Sequence, residues 1–288
     1  MEDSGEDPGW GGSWAILQEP SFAKLMARQL RWQLEYVGPL AVMTERRALV
    51  GALSAMAGSP EVHGAFERWW PSLETHDAGS LRILTNHRAP ALERWRVSRD
   101  DEYSFLADLS QTEEALWAGF ESRCRRNIRA AEKSGVTVRD GRPETDFESA
   151  WALIRATSED GKAFELPARE FVREALTLPA GRLYVAELGG RMIGCTIGLA
   201  HGHFEAWLGG FDRSLRPLPS ALLYWEIMRR VRAEGLRYFD FGPQSIAANP
   251  SLTLFKRSFS PLLRPFYVYE IRRGWRGRLV ALRERLQR

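Results

Sequence analysis

The stretch RLYVAELGGRMIGCTIGLAHGHFEAWLGGF, residues 182–211, constrains the fold more than any other. Apolar residues recur along it at strand spacing, and Gly189–Gly190 supplies the two-residue turn whose backbone needs positive φ. Gly202 marks a second turn, so three successive antiparallel strands are predicted. PSALLYWEIMRRVRAEG follows as an amphipathic helix with Leu222, Leu223, Trp225, Ile227, Met228 and Val231 on its apolar side and Gly235 at its end. LRYFDFG is then a short buried strand.

Upstream, SFAKLMARQLRWQLEYVG predicts a helix capped by Ser21, with Phe22, Leu25, Met26, Leu30 and Leu34 on one side. PLAVMTERRALVGALSAMA predicts two strands around a polar turn at Thr44–Arg47. VHGAFERWWPSLE predicts a short helix ending before Pro71, and SLRILTN a strand. A strand reaching Leu109 precedes one long helix, with Ser110 and Glu113 forming a capping box and Gly135 at its C-terminus. VTVRD is a strand, DFESAWALIRATSED and AREFVREALTL are helices, LTLFKRSFS is helical, and LRPFYVYEIRR is one final strand. WRGRLVALRERLQR closes the chain as a basic amphipathic helix. The expected domains are an acidic disordered tail (1–13), an N-terminal domain (14–104), a second α/β domain (105–272) and the basic helix (273–288). From residue 105 onward the order β-α-β-α-α-β-β-β-α-β-α-β has the layout of a GNAT-like acyltransferase domain.

A chain of 288 residues is long enough for two such domains. No run approaches the ~18 apolar residues of a membrane span, and the acidic N-terminus lacks the apolar segment of a secretory signal, so a cytoplasmic protein is expected. Two cysteines, Cys124 and Cys195, exclude a disulfide framework and a Cys-rich zinc site; both read as packing residues. Of the 40 Lys+Arg residues only Lys24, Lys133, Lys162 and Lys256 are lysines. Arginine forks suit phosphates, although a GC-rich coding sequence produces the same bias.

Four segments together resemble the Fem-type (FemXAB-like) aminoacyltransferases of the GNAT superfamily. They are DLSQTEEALWAGFESRCRRNIRAAEKSGVTV, LYVAELGGRMIGCTIGLAHGHFEAWLGG, PSALLYWEIMRRVRAEGLRYFDFGP and LTLFKRSFSPLLRPFYVYE, spanning about residues 105–272. The resemblance implies an α/β protein of two GNAT-like domains side by side, the first degenerate, each a mixed sheet flanked by helices. It also implies amide-bond formation by transfer of an amino acid from aminoacyl-tRNA to an amine, either a peptidoglycan precursor or a peptide or small amine of a natural-product pathway. No cofactor and no metal are implied.

Lys256 stands where the family carries its Phe-Lys pair, so the resemblance places its ammonium beside the scissile ester, with Phe255 forming the adjacent wall. Asp240, at the end of an aromatic strand, is the candidate proton acceptor; the plainer reading is a carboxylate holding the amides of the next turn. Ser220, Trp225 and Phe241 are expected near the substrate. Arg125, Arg126, Arg129 and Lys133 form a candidate tRNA-phosphate surface, and Arg126, Arg129 and Lys133 share one helix face. The C-terminal arginines from Arg272 to Arg285 raise the same question, with peripheral membrane contact as another reading. The loop before the PSALLYW helix has Pro217, Pro219 and Ser220 where acetyltransferases place the glycines that cradle a pyrophosphate, which disfavours acyl-CoA as donor. His201 and His203 could share one side of a strand, but no acidic or cysteine partner is read beside them and no metal site is expected. Two other readings stay open: an acyl-CoA-dependent N-acyltransferase, and a non-catalytic RNA- or membrane-surface-binding protein on a decayed acyltransferase fold.

Overall fold

The computed structural model describes residues 12–58, 60, 66–98, 100–161, 166–216 and 218–286. The expected acidic tail lies outside the described residues up to position 11, as does Pro217. Ser13, assigned to that tail, is fully buried, and its N–H donates to Asn86 Oδ1 at 2.9 Å. The chain forms two compact units, Gly11–Tyr103 with Arg264–Arg288, and Ser104–Leu263.

The first unit opens with α1 (Pro20–Leu30), β1 (Gln33–Val37), β2 (Leu40–Arg47), β3 (Gly51–Gly58), α2 (Phe66–Glu74) and β4 (Ser80–Thr85). The helix expected to continue to Gly38 instead stops at Arg31, which adopts φ 56°, and β1 follows and pairs with β2. Its N-cap is Glu19, whose carboxylate accepts the N–H of Phe22, with Pro20 in the first turn. The β2–β3 turn falls after Arg47, because Thr44 and Glu45 are paired across the ladder. Pro71 lies inside α2, which continues to Glu74 with Trp69 and Leu73 buried against the sheet.

The second unit contains β5 (Glu102–Asp108), α3 (Glu113–Gly119), α4 (Ser122–Lys133), β6 (Thr137–Asp140), α5 (Pro143–Gly161), α6 (Arg169–Ala175), β7 (Gly181–Leu188), β8 (Arg191–Ala200), β9 (Phe204–Phe211), α7 (Ser220–Ala233), β10 (Tyr238–Asp240), β11 (Gln244–Ser245), α8 (Pro250–Arg257) and β12 (Leu262–Pro265). Its sheet runs β11-β5-β10-β9-β8-β7-β6, with β12 beside β5. The three-strand run is present as β7–β9, and both turn glycines 189 and 190 have positive φ. The long helix expected after Leu109 is two helices. Thr112, not Ser110, caps the first, and the break at Phe120 seats that ring edge-on to Trp225 (5.2 Å) and Phe259 (5.1 Å). Gly210 is required by close approach: a Cβ there would lie 2.4 Å from the backbone nitrogen of Ile154, so its absence lets α5 settle on β9. Phe147, Ile154, Val185, Cys195 and Ile197 form the core on that face.

The chain then returns to the first unit. The expected single strand over residues 263–273 divides at Phe266. β12 stays with β5, whereas β13 (Tyr267–Arg272) pairs with β4 and completes the order β1-β2-β3-β4-β13. The second unit therefore ends at Leu263 rather than 272, and α9 (Gly274–Leu286) contacts β3, β4 and β13. Gly277 and Val280 of α9 are buried, while Trp275, Leu279, Leu282 and Leu286 are exposed. Among the described residues no helix is long and apolar enough to cross a membrane.

Candidate active site

Strand β10 is short, and its shortness shapes the site. Tyr238–Asp240 is buried throughout and pairs antiparallel with β5. On its other side it meets β9 in parallel for only two positions, Phe239↔Phe204 and Asp240↔Glu205. β9 continues to Phe211, so beyond Asp240 the two strands part. The chain turns there through Gly242, whose φ of +80° is a left-handed conformation that side chains disfavour.

Asp240 and Lys256 both take hold of this turn. Asp240 is fully buried, and its Oδ1 accepts the Gly242 N–H at 2.7 Å. Lys256 arrives from α8, whose N-cap Asn249 accepts the N–H of Leu252. Its Nζ donates to the Gly242 carbonyl at 2.8 Å and sits 5.1 Å from the centre of the Phe105 ring. Only 6% of Lys256 is exposed. Burial pushes the ammonium below the ordinary lysine range, and the charge of Asp240 partly restores it. A cation here is desolvated and fixed by short contacts, two conditions that strengthen its action on a charge forming nearby.

Aromatic rings build the wall behind this turn. Tyr224 of α7 stacks on Phe241 at 5.8 Å and meets Phe255 edge-on at 5.3 Å, while Phe259 contacts Phe241 at 5.4 Å. Phe255 and Phe241 thus share one aromatic cluster, with Phe255 next to Lys256 in sequence and Phe241 next to Gly242, whose carbonyl Lys256 holds. Trp225 is buried against Trp117 and Phe120, which makes it a contact between α7 and the α3–α4 segment. Ser220 opens α7, and Pro219 at the N-cap makes no side-chain cap bond.

The basic face of α4 divides into two roles. Arg125 reaches back to the C-terminal carbonyls of α3, those of Trp117 (3.3 Å), Ala118 (2.9 Å) and Phe120, so its guanidinium closes a helix end. Arg129 lies 5.2 Å over the Trp117 ring. Arg126, Arg129 and Lys133 are exposed. Of the C-terminal arginines, Arg272, Arg276 and Arg283 are tied to Glu270, Asp77 and Glu45, and Arg273 donates to the His76 carbonyl. Burial pushes the Cys195 thiol up to about 12 and the Cys124 thiol up to about 11, which fits packing roles for both.

Sequence reasoning overlooked one residue. Glu205, two positions past His203, is an acidic partner for the histidine pair, and its carboxylate together with His201 and His203 gathers ligand-type atoms within 4.8 Å of one another. The period-two spacing of 201, 203 and 205 was the available signal. Burial holds the His203 imidazole well below its ordinary value, with His201 adding to the effect. A surface depression lined by Asp140, Glu144, Tyr184 and Glu234 lies at the β6–β7 edge, three strands from β10, and shares no residue with the Lys256 site.

Residues 118–250, which include β10 and its turn, match the family model of the acetyltransferase (GNAT) domain. The crystal structure of FemX superposes with TM-score 0.69 at 13% identity, covering 98% of this chain and 99% of that one. The chain has a FemX-like GNAT fold. L-PGS from Bacillus licheniformis shares it at TM-score 0.56, 12% identity and 98% coverage of each chain. The C-terminal domain of a protein described as a putative lysylphosphatidylglycerol synthetase, from Agrobacterium fabrum, gives TM-score 0.57 at 12% identity, covering 91% of this chain and 90% of that one. No curated protein matches in sequence. The FemX-like fold contains two mixed sheets flanked by helices, as the four segments implied.

Proposed function

We propose that this GNAT-type acyltransferase moves an aminoacyl group from aminoacyl-tRNA to an amine. The observation that carries the reading is Lys256: a buried ammonium, gripped by the Gly242 carbonyl where β10 leaves β9. An aminoacyl ester is already activated, so catalysis consists of aligning the amine and stabilising charge. Alignment contributes up to about 7–11 kcal/mol and a fixed donor at the oxyanion about 3–4 more. The amine nitrogen attacks the ester carbonyl carbon, the carbonyl oxygen becomes an oxyanion, and the bond to the ribose oxygen breaks. The amide forms as the nitrogen loses a proton and the ribose hydroxyl gains one. Lys256 stabilises the negative oxygen. Asp240 positions Lys256 by holding the Gly242 turn and by its charge. Phe255 and Phe241 exclude water from that side.

The donor assignment draws on two further supports. α7 begins with Pro219 and Ser220 instead of a glycine cradle for pyrophosphate, and Arg126, Arg129 and Lys133 present an exposed basic face. A structural neighbour described as a putative lysylphosphatidylglycerol synthetase points the same way. The acceptor is a peptidoglycan precursor, a peptide or a small amine. The test is an amide-formation screen with charged total tRNA and candidate amines, with and without ribonuclease. Ribonuclease-sensitive product supports the reading. Release of CoA from acyl-CoA without RNA replaces it with acyl-CoA-dependent transfer, and salt-sensitive RNA or vesicle binding without product replaces it with a binding role.

A further inference from the structure

The turn between β8 and β9 collects three metal-ligand side chains that the transfer chemistry leaves unused. Gly202, at φ +81°, bends the chain, and the His201 N–H donates to the His203 carbonyl at 2.9 Å. The bend sets the two imidazole rings edge to face with centres 4.5 Å apart. Glu205, 2% exposed, lies on the same side of the strand, with its Oε2 3.7 Å from His201 Nε2. That distance is too long for a hydrogen bond, and His201 Nε2 is buried with no hydrogen-bond partner, on a side chain only 9% exposed.

We propose that His201, His203 and Glu205 form a binding site for one divalent transition-metal ion of the zinc class. Two imidazoles and a carboxylate are the donor set that suits such an ion, and a fourth position is left for water. Zinc ligands at about 2.0–2.1 Å from the ion stand roughly 3.4 Å apart in a tetrahedron. The 3.7 Å between His201 and Glu205 is close to that spacing, and the ligand-type atoms of all three side chains lie within 4.8 Å of one another. The ion would tie the turn to β9 one strand away from Asp240, since Glu205 and Asp240 are register partners. Cys124 and Cys195 are both buried, and neither joins this cluster among the described residues. An ordinary His–Glu ion pair is the alternative occupant of the same geometry.

The experiment uses the full, tag-free chain after treatment with a chelator. Zn²⁺ is titrated calorimetrically, Co²⁺ is followed by its visible absorption, and melting is recorded with and without Zn²⁺. The expected result is one ion per chain, the strong visible bands of four-coordinate Co²⁺, and a higher melting temperature with Zn²⁺. His201→Ala, at the turn, should weaken uptake by at least about tenfold and abolish the melting shift. Glu205→Gln, which keeps the shape, should weaken uptake as well and serves if the alanine variant does not fold. No saturable uptake by the wild-type chain, or equal uptake by a folded variant, would overturn the proposal.

Discussion

Both units bury charge, but they treat it in opposite ways. In the first unit Glu45 is held by Arg47 and Arg283, and Glu270 by Arg82 and Arg272. Burial pushes both carboxyls up, yet the guanidinium forks outweigh it and hold them below the usual carboxylate range. In the second unit the buried ammonium of Lys256 is pushed down instead, because burial outweighs the charge of Asp240. The first arrangement favours the charged form and ties β2 to α9 and β13 to β4. The second leaves the charged form short of compensation, so the cation gains when a negative charge develops beside it.

The largest effect that sharpens this contrast is on rate. Lys256→Met should slow single-turnover transfer about 100- to 1,000-fold, the range for losing a fixed oxyanion donor, while Glu270→Gln should leave the rate unchanged. Stability should show the reverse. Glu270→Ala leaves Arg82 and Arg272 without that carboxylate, but their side chains are 49% and 39% exposed, so the loss in a denaturant titration should be about 1–2 kcal/mol rather than the full cost of breaking a buried pair. Equal effects of the two substitutions on rate would erase the distinction.

The pH dependence of melting separates the two units by window, acid for the carboxyls and alkaline for the lysine, with stability rising with pH in both. Glu45 and Glu270 are lowered, so the stability they contribute is present above their unfolded values and is lost as pH falls through their folded ones. Lys256 is also lowered, which for an amine means the unfolded chain binds more protons; stability therefore rises as pH climbs from its folded value toward the ordinary lysine range. Lys256→Met should flatten the alkaline rise and leave the acid loss intact. The smallest expected effects concern α4. Charge reversal at Arg126, Arg129 and Lys133 should lower tRNA affinity and reduce its salt dependence, by about one unit of slope for each phosphate no longer neutralised. Arg125→Ala should leave that slope unchanged and lower the melting temperature, because Arg125 serves the α3 carbonyls.

The elements that were legible in sequence are those with local causes. The Gly189–Gly190 turn, the apolar runs of β7 and β8 and the apolar side of α7 all report their own conformation. The misread places are governed by distant partners. Phe120 breaks a continuous helical pattern because Trp225 and Phe259, far along the chain, provide its pocket. The split at Phe266 follows from β13 finding β4 across the chain, although Pro265 was a local warning that a strand ends there. Lys256 and Asp240 stand out by resemblance and by their aromatic surroundings. That both grip Gly242 depends on a turn whose geometry only the folded chain defines.

The pH profile of single-turnover transfer tests the central claim most directly. With the acceptor amine accounting for the rising limb, the rate should fall again as pH passes through the lowered value of Lys256, below the ordinary lysine range, and Lys256→Arg should remove that fall. A rate that holds steady up to the ordinary lysine range, or the same fall in the arginine variant, would contradict the assignment of Lys256 as the cation that steadies the reacting ester.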